Sequence, residues 1–408
     1  MVRSIVIYYL PLYVAIAAIS MFKPCSWFLD LPIVAGIGYL FITKQFKLYT
    51  FDILIFAYML YCLISFVFSS YPFEVFLNTA RWSLLPIGFY FFARFIGYVR
   101  GYYFYESLKK PLLVAIAVGF LLYLTMPSFY YNFKLSAVSN TGFDLDSLSD
   151  YYIQEMMRFS SFWSHSYAIS SLCLYMLIYL LTKIVRNMAN IKEMVFVLLC
   201  YFVIFFAQQR VNIAYSAIIL IIFSVYSLIV NRGKYYLGII WLFIFFSIIL
   251  VLMFLNFFNP DFVDYVLERT INSESGGKGM IVERVEMFSE FIEKFSLIGD
   301  GFGKYGLAAY GYSPYVCSDC DYIRIIAEIG YLGFSILVLI LLSAIVLGFC
   351  NFKLLACETS IVLFFPFLMV GAAAFENVYF CLPVFWYSLG RIYYYTSVNL
   401  QKKEVNNG

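Results

Sequence analysis

Three arginines stand where apolar runs give way to polar stretches, and guanidinium is the side chain that grips phosphate through two parallel hydrogen bonds. Arg158 closes a segment rich in acidic and aromatic residues. Arg210 sits in Gln208-Gln209-Arg210-Val211-Asn212 between two apolar runs with almost no loop, and Arg284 opens an amphipathic stretch. A charge at membrane depth costs about 2.5–3.5 kcal/mol on insertion scales, so each arginine needs an acidic partner, an anionic ligand or a snorkelling path to the interface. The only histidine, His165, follows Arg158 by seven residues at the mouth of an apolar run. With an ordinary pKa of about 6.5 it suits a general acid or base, and a hydrogen-bonded structural role fits the position as well.

Carboxylates gather farther along. In Asp321-Tyr-Ile-Arg324-Ile-Ile-Ala-Glu328 the three charges are spaced i, i+3, i+7 and so share one helical face. Asp319, Asp321 and Glu328 are placed either to meet Arg210 or Arg284 as ion-pair partners or to take a proton from a hydroxyl. Cys317-Ser-Asp319-Cys320 precedes them; a local disulfide is the expectation there, because no second Cys pair accompanies it as a zinc site would require. Gly299-Asp-Gly301-Phe-Gly303 is no dinucleotide fingerprint, since no strand precedes it. A tight turn and a nest of backbone amides for an anion both fit it. No His, Asp or Glu spacing points to a bound metal, and nothing in the chain asks for a cofactor.

The elements that must position these groups are membrane-spanning helices. Of 408 residues 63% are apolar and only 12% charged, with a mean hydropathy of +0.86. Soluble domains carry about 45–50% apolar and about 25% charged residues. The apolar runs are continuous, which excludes the alternating strands of a membrane barrel, and no basic tract suggests nucleic acid. Runs of spanning length, about twelve at roughly 20 residues each, predict an all-α polytopic protein. They cover 4–22, 26–43, 51–69, 83–99 and 111–127, then 166–182, 194–209, 211–230 and 235–257, and finally 329–350, 359–374 and 378–395. The first, led by Arg3 and lacking a small-residue cleavage site, reads as an uncleaved span.

Lysine and arginine crowd one set of loops, with 14 of the 27 basic residues at Arg3, Lys44, Lys47, Arg100, Lys109, Lys110, Lys183, Arg186, Lys192, Arg232, Lys234, Lys353, Lys402 and Lys403. The positive-inside rule therefore puts both termini in the cytoplasm. Residues 1–127 then form spans one to five and 128–165 a first outer loop. Spans six to nine occupy 166–257, a large outer loop 258–328, and the last spans with a tail 329–408. The large loop holds 12 of the 24 acidic residues. Within it, residues 281–295 are amphipathic: Ile281, Val285, Phe288, Phe291, Ile292 and Phe295 face one side, Glu283, Glu286, Glu290, Glu293 and Lys294 the other, with Arg284 on the apolar edge.

Four stretches in this order resemble the Wzy-type O-antigen polymerases of the O-antigen polymerase and ligase superfamily. They are Arg158-Phe-Ser-Ser-Phe-Trp-Ser-His165-Ser-Tyr-Ala168 before a span and Ala207-Gln-Gln-Arg210-Val-Asn-Ile-Ala214 between adjacent spans. Glu283-Arg284-Val-Glu-Met-Phe leads through an amphipathic stretch to Gly299-x-Gly301-x-Gly303, and Asp319-Cys-Asp321-Tyr-Ile-Arg324 leads into Glu328-Ile-Gly330-Tyr-Leu-Gly333. The resemblance covers residues of about 150 to 350.

The resemblance implies a GT-C-like bundle in the bacterial inner membrane. Such an enzyme transfers a growing glycan from one undecaprenyl diphosphate carrier to the next carrier-linked oligosaccharide at the outer leaflet, without metal or nucleotide. Its partners would be that lipid-linked oligosaccharide, membrane lipid and a chain-length regulator protein. Arg210 and Arg284 would hold the diphosphate with Arg158 assisting, and Asp319 or His165 would take the acceptor's proton. Gly301, Gly303, Asp321, Arg324 and Glu328 would line the substrate side. Ligases of the superfamily carry a histidine where this chain has Asp319, which favours polymerase. A flippase or transporter is the alternative from another class; it predicts charges at the midplane of broken helices and often two related halves.

Overall fold

The computed structural model describes residues 1–20, 26–46, 48–68, 71–96, 99–125, 158–161, 163, 166–230, 288–309, 311–313, 316–317, 320–371 and 379–407. Among them there are helices and turns but no strand. Among the described residues five helices are long and apolar enough to cross a membrane, Val2–Ile19, Ser166–Val185, Arg210–Ile229, Asp321–Cys350 and Phe352–Val370, and two shorter apolar helices are Trp27–Ile42 and Asp52–Ser65. The expected span 235–257, most of the loop 128–165 and the stretch 258–287 lie outside the described residues.

Two compact units divide the chain. The first contains Met1–Tyr9, Trp27–Tyr102 and Ile281–Gly408. It takes the start of α1 (Val2–Ser20), then α2 (Asp30–Ile42), α3 (Asp52–Ser65), α4 (Phe73–Ser83) and α5 (Gly88–Phe92). The second unit, Leu10–Ser26 and Tyr103–Met280, contains α6 (Lys109–Thr125), α7 (Ser166–Val185), α8 (Ile191–Phe206) and α9 (Arg210–Val230). The first unit is completed by α10 (Asp321–Cys350), α11 (Phe352–Gly371) and α12 (Cys381–Asn407).

In the first unit α12 packs on α5 and α11, and α10 on α3 and α11. The approach of α12 to α5 depends on a missing side chain, since a Cβ on Gly390 would lie 2.3 Å from the Tyr90 carbonyl oxygen. On α10, Leu337, Ile340, Leu341 and Ala344 are buried while Leu339, Leu342, Val346 and Phe349 stay exposed. A helix apolar on its covered and its uncovered face suits lipid as the outer solvent. The expected span 83–99 takes another form: the helical run begins ten residues earlier at Phe73 and passes through 3-10 turns at Leu85–Ile87 and Ala93–Phe95. Pro86 has no N–H to donate, so the helix tightens there instead of continuing regularly.

In the second unit α7 is the central element, with 94% of its apolar window buried. It packs against α8, α9, α6 and the helical turn Tyr103–Glu106. The α8 start is set by a reciprocal cap: the Asn190 side chain accepts from Glu193 N–H at 3.0 Å, and the Glu193 carboxylate accepts from Asn190 N–H at 3.2 Å. Glu193 also receives Lys109 at 2.9 Å and Lys183 at 2.5 Å, tying α6, α7 and α8 together at one end.

Candidate functional site

Two of the stretches singled out above lie together in the second unit. Phe159 N–H donates to the Phe206 carbonyl at 3.3 Å, and Gln209 Nε2 donates to Ser166 Oγ at 2.9 Å. The segment after Arg158 is fixed from the other side by α6, where Ser161 Oγ donates to the Ala115 carbonyl at 2.7 Å and the Phe120 ring stacks on Phe159 at 4.2 Å. Each stretch contains a non-glycine residue in the left-handed region, Ser161 at φ 54° and Gln208 at φ 53°. Such residues are uncommon and persist only where the surroundings over-determine them.

Arg158 is buried, whereas Arg210 is exposed as the first residue of α9. Its guanidinium therefore adds to the positive end of a 21-residue helix dipole, a combination that disfavours the helix and attracts anions. Behind it, Asn212 is fully buried and its Nδ2 donates to Ser170 Oγ at 2.9 Å and Ser171 Oγ at 3.1 Å. His165 lies outside the described residues, between Trp163 and Ser166.

The charged face and the glycine loop come together in the first unit. Arg324 Nε and Nη2 both donate to Asp321 Oδ1, at 3.0 and 2.6 Å, and Arg324 Nη1 stands 3.8 Å from Glu328 Oε2. All three side chains are buried. The i, i+3, i+7 spacing thus does place them on one face, and Arg324 of the same helix pairs with both acids. Arg284 and Asp319 lie outside the described residues.

Gly330 interrupts α10 with φ 64° and ψ −177°. At that break the helix exchanges internal bonds for bonds to the loop 296–301. Asp300 N–H donates to the Ala327 carbonyl and Gly301 N–H to the Glu328 carbonyl, both at 2.9 Å; Tyr331 N–H donates to the Ser296 carbonyl at 3.1 Å and Leu332 N–H to the Leu297 carbonyl at 3.0 Å. The Glu328 carboxylate reaches into the following turn and accepts from Tyr305 N–H at 3.0 Å and from Gly303 N–H. Of the glycine loop only Gly303 N–H meets that carboxylate, while the Asp300 and Gly301 amides close on carbonyls of α10, so the loop is a tight turn clipped to the helix. Phe302 N–H is taken by Ser65 Oγ at 3.2 Å, so α3 closes the other side.

Around this clip Phe291, Tyr305, Cys317, Cys320, Ile323 and Ala327 form a small core. Tyr305 OH donates to Asp300 Oδ2 at 2.5 Å; burial first, and this bond second, raise its phenol well above the ordinary value. In place of the expected local disulfide, Cys317 and Cys320 are buried thiols not joined to each other, with Cys317 Sγ donating to the Cys320 carbonyl at 3.3 Å. Burial pushes the Cys317 thiol up to about 12. Of the predicted amphipathic stretch only the part from Phe288 is described; Phe291 is buried against Tyr305, while Phe288 and Ile292 are exposed.

Sequence reasoning missed two buried ion pairs of the first unit. Arg94 pairs with Asp52, which also accepts from Tyr90 OH at 2.7 Å, and the guanidinium lies 5.0 Å from the Tyr49 ring centroid. Arg391 Nε donates to Glu358 Oε1 at 2.6 Å, with Tyr102 beneath the guanidinium. Single charges inside apolar runs were the available signal. Among the described residues no group of three His, Cys, Asp or Glu side chains could hold a metal ion. Comparison of the chain with protein-family models and with curated proteins returns no match.

Proposed function

We propose that this protein is a membrane-embedded glycosyltransferase that polymerises undecaprenyl-diphosphate-linked oligosaccharide repeats at the outer leaflet of a bacterial inner membrane, through about twelve spans with both termini cytoplasmic. One observation carries the reading. Arg210 stands exposed on the positive end of α9, and the hydrogen bonds that join its loop to the Arg158 segment gather cationic and neutral polar groups at one end of an apolar bundle. An anionic headgroup carrying sugars on a polyprenyl tail needs such a combination.

In the reaction the acceptor hydroxyl oxygen attacks the donor's anomeric carbon. The bond from that carbon to the phosphate oxygen breaks, and undecaprenyl diphosphate leaves. Arg210 neutralises the charge that builds on the leaving phosphate, with Arg158 and Arg284 assigned to the same diphosphate. The acceptor proton goes to Asp319 or His165. The carrier diphosphate is already a good leaving group, so positioning and electrostatic stabilisation are the enzyme's main tasks.

The test is the surface-polysaccharide banding of a strain lacking the protein. A single repeat on the acceptor means polymerase, and carrier-linked polymer left untransferred means ligase. Loss of outward-facing carrier lipid means flippase and overturns the reading. Transport is the second reading because of the two buried ion pairs, Asp52 with Arg94 and Glu358 with Arg391. Charges within apolar helices are what proton- or ion-coupled carriers use.

A further inference from the structure

We propose that Gln208 and Asn212 form a neutral subsite for sugar hydroxyl groups, separate from the diphosphate contact of Arg210; this rests on the glycosyltransferase reading and names the part of the substrate that the carboxamides take. Gln208 is 5% exposed, and neither its Oε1 nor its Nε2 has a hydrogen-bond partner among the described residues. Asn212 is 0% exposed; two serines engage one end of its carboxamide, and the other end, Oδ1, has no such partner. In folded proteins most buried polar groups are satisfied, because a bare one forfeits its hydration with nothing in return. Two such side chains within five residues point to a ligand that supplies the missing bonds.

The chemistry of that ligand follows from the carboxamide itself. Gln208 offers one acceptor and one donor side by side. The ionised oxygens of a diphosphate only accept, so they satisfy the Nε2 donor and leave Oε1 bare. A hydroxyl both donates and accepts, and adjacent hydroxyls of a sugar ring satisfy both ends at once. Asn212 leads to the same class: its bare end is the acceptor Oδ1, which a hydroxyl donor satisfies and an ionised phosphate oxygen does not. The backbone agrees: Gln208 adopts φ 53°, a conformation costly for a side chain of this type, and the cost is accompanied by a buried group that stabilises nothing described inside the protein. Two residues beyond it stands the exposed Arg210, so anion and sugar would be read by neighbouring but chemically distinct groups.

The experiment uses the full chain in lipid nanodiscs with two probes: undecaprenyl diphosphate bearing one oligosaccharide repeat, and undecaprenyl diphosphate without sugar. Dissociation constants are measured for the wild type and for Gln208→Leu, Gln208→Gly, Asn212→Ala and Arg210→Ala. Gln208→Leu and Gln208→Gly should weaken the glycan-bearing probe about tenfold or more and leave the bare carrier unchanged, because a site built to hydrogen-bond a hydroxyl loses that discrimination when the bond is removed. Their unfolding temperatures should match or exceed the wild type, Gln208→Gly especially, since glycine suits the left-handed backbone. Arg210→Ala should weaken both probes. Equal affinity of the glycan-bearing probe for wild type and both Gln208 variants would mean that ordered water alone satisfies the carboxamide, and the subsite is overturned. Equal weakening of both probes, or a lower unfolding temperature of Gln208→Gly, would mean a packing role and overturns it too. A wild type that binds neither probe sinks the glycosyltransferase reading itself, an outcome distinct from a wild type that binds sugar indifferently to Gln208.

Discussion

Gly299 and Gly330 pass each other so closely that a Cβ on Gly330 would lie 2.4 Å from the Gly299 nitrogen, and one on Gly299 would lie 2.4 Å from both the Gly330 nitrogen and the Glu328 carbonyl oxygen. Both residues have positive φ, 79° and 64°. Gly330→Ala should therefore cost about 1–3 kcal/mol in backbone conformation alone, with displacement of the loop 296–301 added to it. Thermal unfolding in detergent should show a lower midpoint, and proteolysis should begin in that loop. An unchanged midpoint would mean that the clip is not formed in the protein.

Glu328 holds the loop through its carboxylate and faces Arg324 in the same cluster. Glu328→Ala leaves two loop amides bare while Arg324 keeps Asp321 as its partner, and should cost about 1–3 kcal/mol for each amide left unsatisfied. Glu328→Gln retains an oxygen to accept from Tyr305 and Gly303, so its cost should be smaller. Chemical denaturation of the two variants side by side checks the order; equal losses would show that only the charge matters.

Burial pushes the Glu193 carboxyl up, but the ammoniums of Lys183 and Lys109 and the Asn190 N–H outweigh it and leave the group below the ordinary carboxylate range. A depressed folded-state pKa adds stability above the unfolded value, about 4.3 for glutamate, and that stability is lost as pH falls through the folded value. The unfolding midpoints of wild type and Glu193→Gln should differ at pH 7 and converge as the medium is acidified below the ordinary carboxylate range. A difference that persists unchanged in acid would assign the effect to packing of the cap.

Cys317 is buried and its thiol is held up to about 12, so the thiolate that alkylating reagents need is scarce at neutral pH. Maleimide labelling of intact membranes should modify neither Cys317 nor Cys320 until the protein is unfolded, and the double serine variant should keep its activity at matched protein level. Rapid labelling, or loss of activity in that variant, would reveal a redox or ligand role.

Much of the scaffold was legible because apolar periodicity and charge spacing are local properties. The face shared by Asp321, Arg324 and Glu328 follows from i, i+3, i+7 spacing alone, whereas the helix opens at Asp321, eight residues before the expected span 329–350. For these acids the sequence left ion pairing with Arg210 or Arg284 and proton transfer open, and the pairing with Arg324 went unread because spacing cannot say whether a helix satisfies its charges within itself. The pairs Asp52 with Arg94 and Glu358 with Arg391 escaped for the opposite reason, their members being 42 and 33 residues apart. The glycine loop was read as a turn or an anion nest, and only the fold reveals that its amides close on α10 carbonyls and on the Glu328 carboxylate. Nothing in Gln208-Gln209-Arg210 announces that the first glutamine turns into the protein at positive φ.

The central claim is that Arg210 stabilises the departing diphosphate. The direct measurement is glycosyl transfer between defined lipid-linked repeats in membranes holding equal amounts of wild type, Arg210→Ala and Arg210→Lys. Loss of one such contact should lower the rate by about 10² to 10³, as removal of an oxyanion donor does, and lysine, which keeps the charge but not the planar fork, should restore it only in part. Chain growth at the wild-type rate in Arg210→Ala would contradict the account.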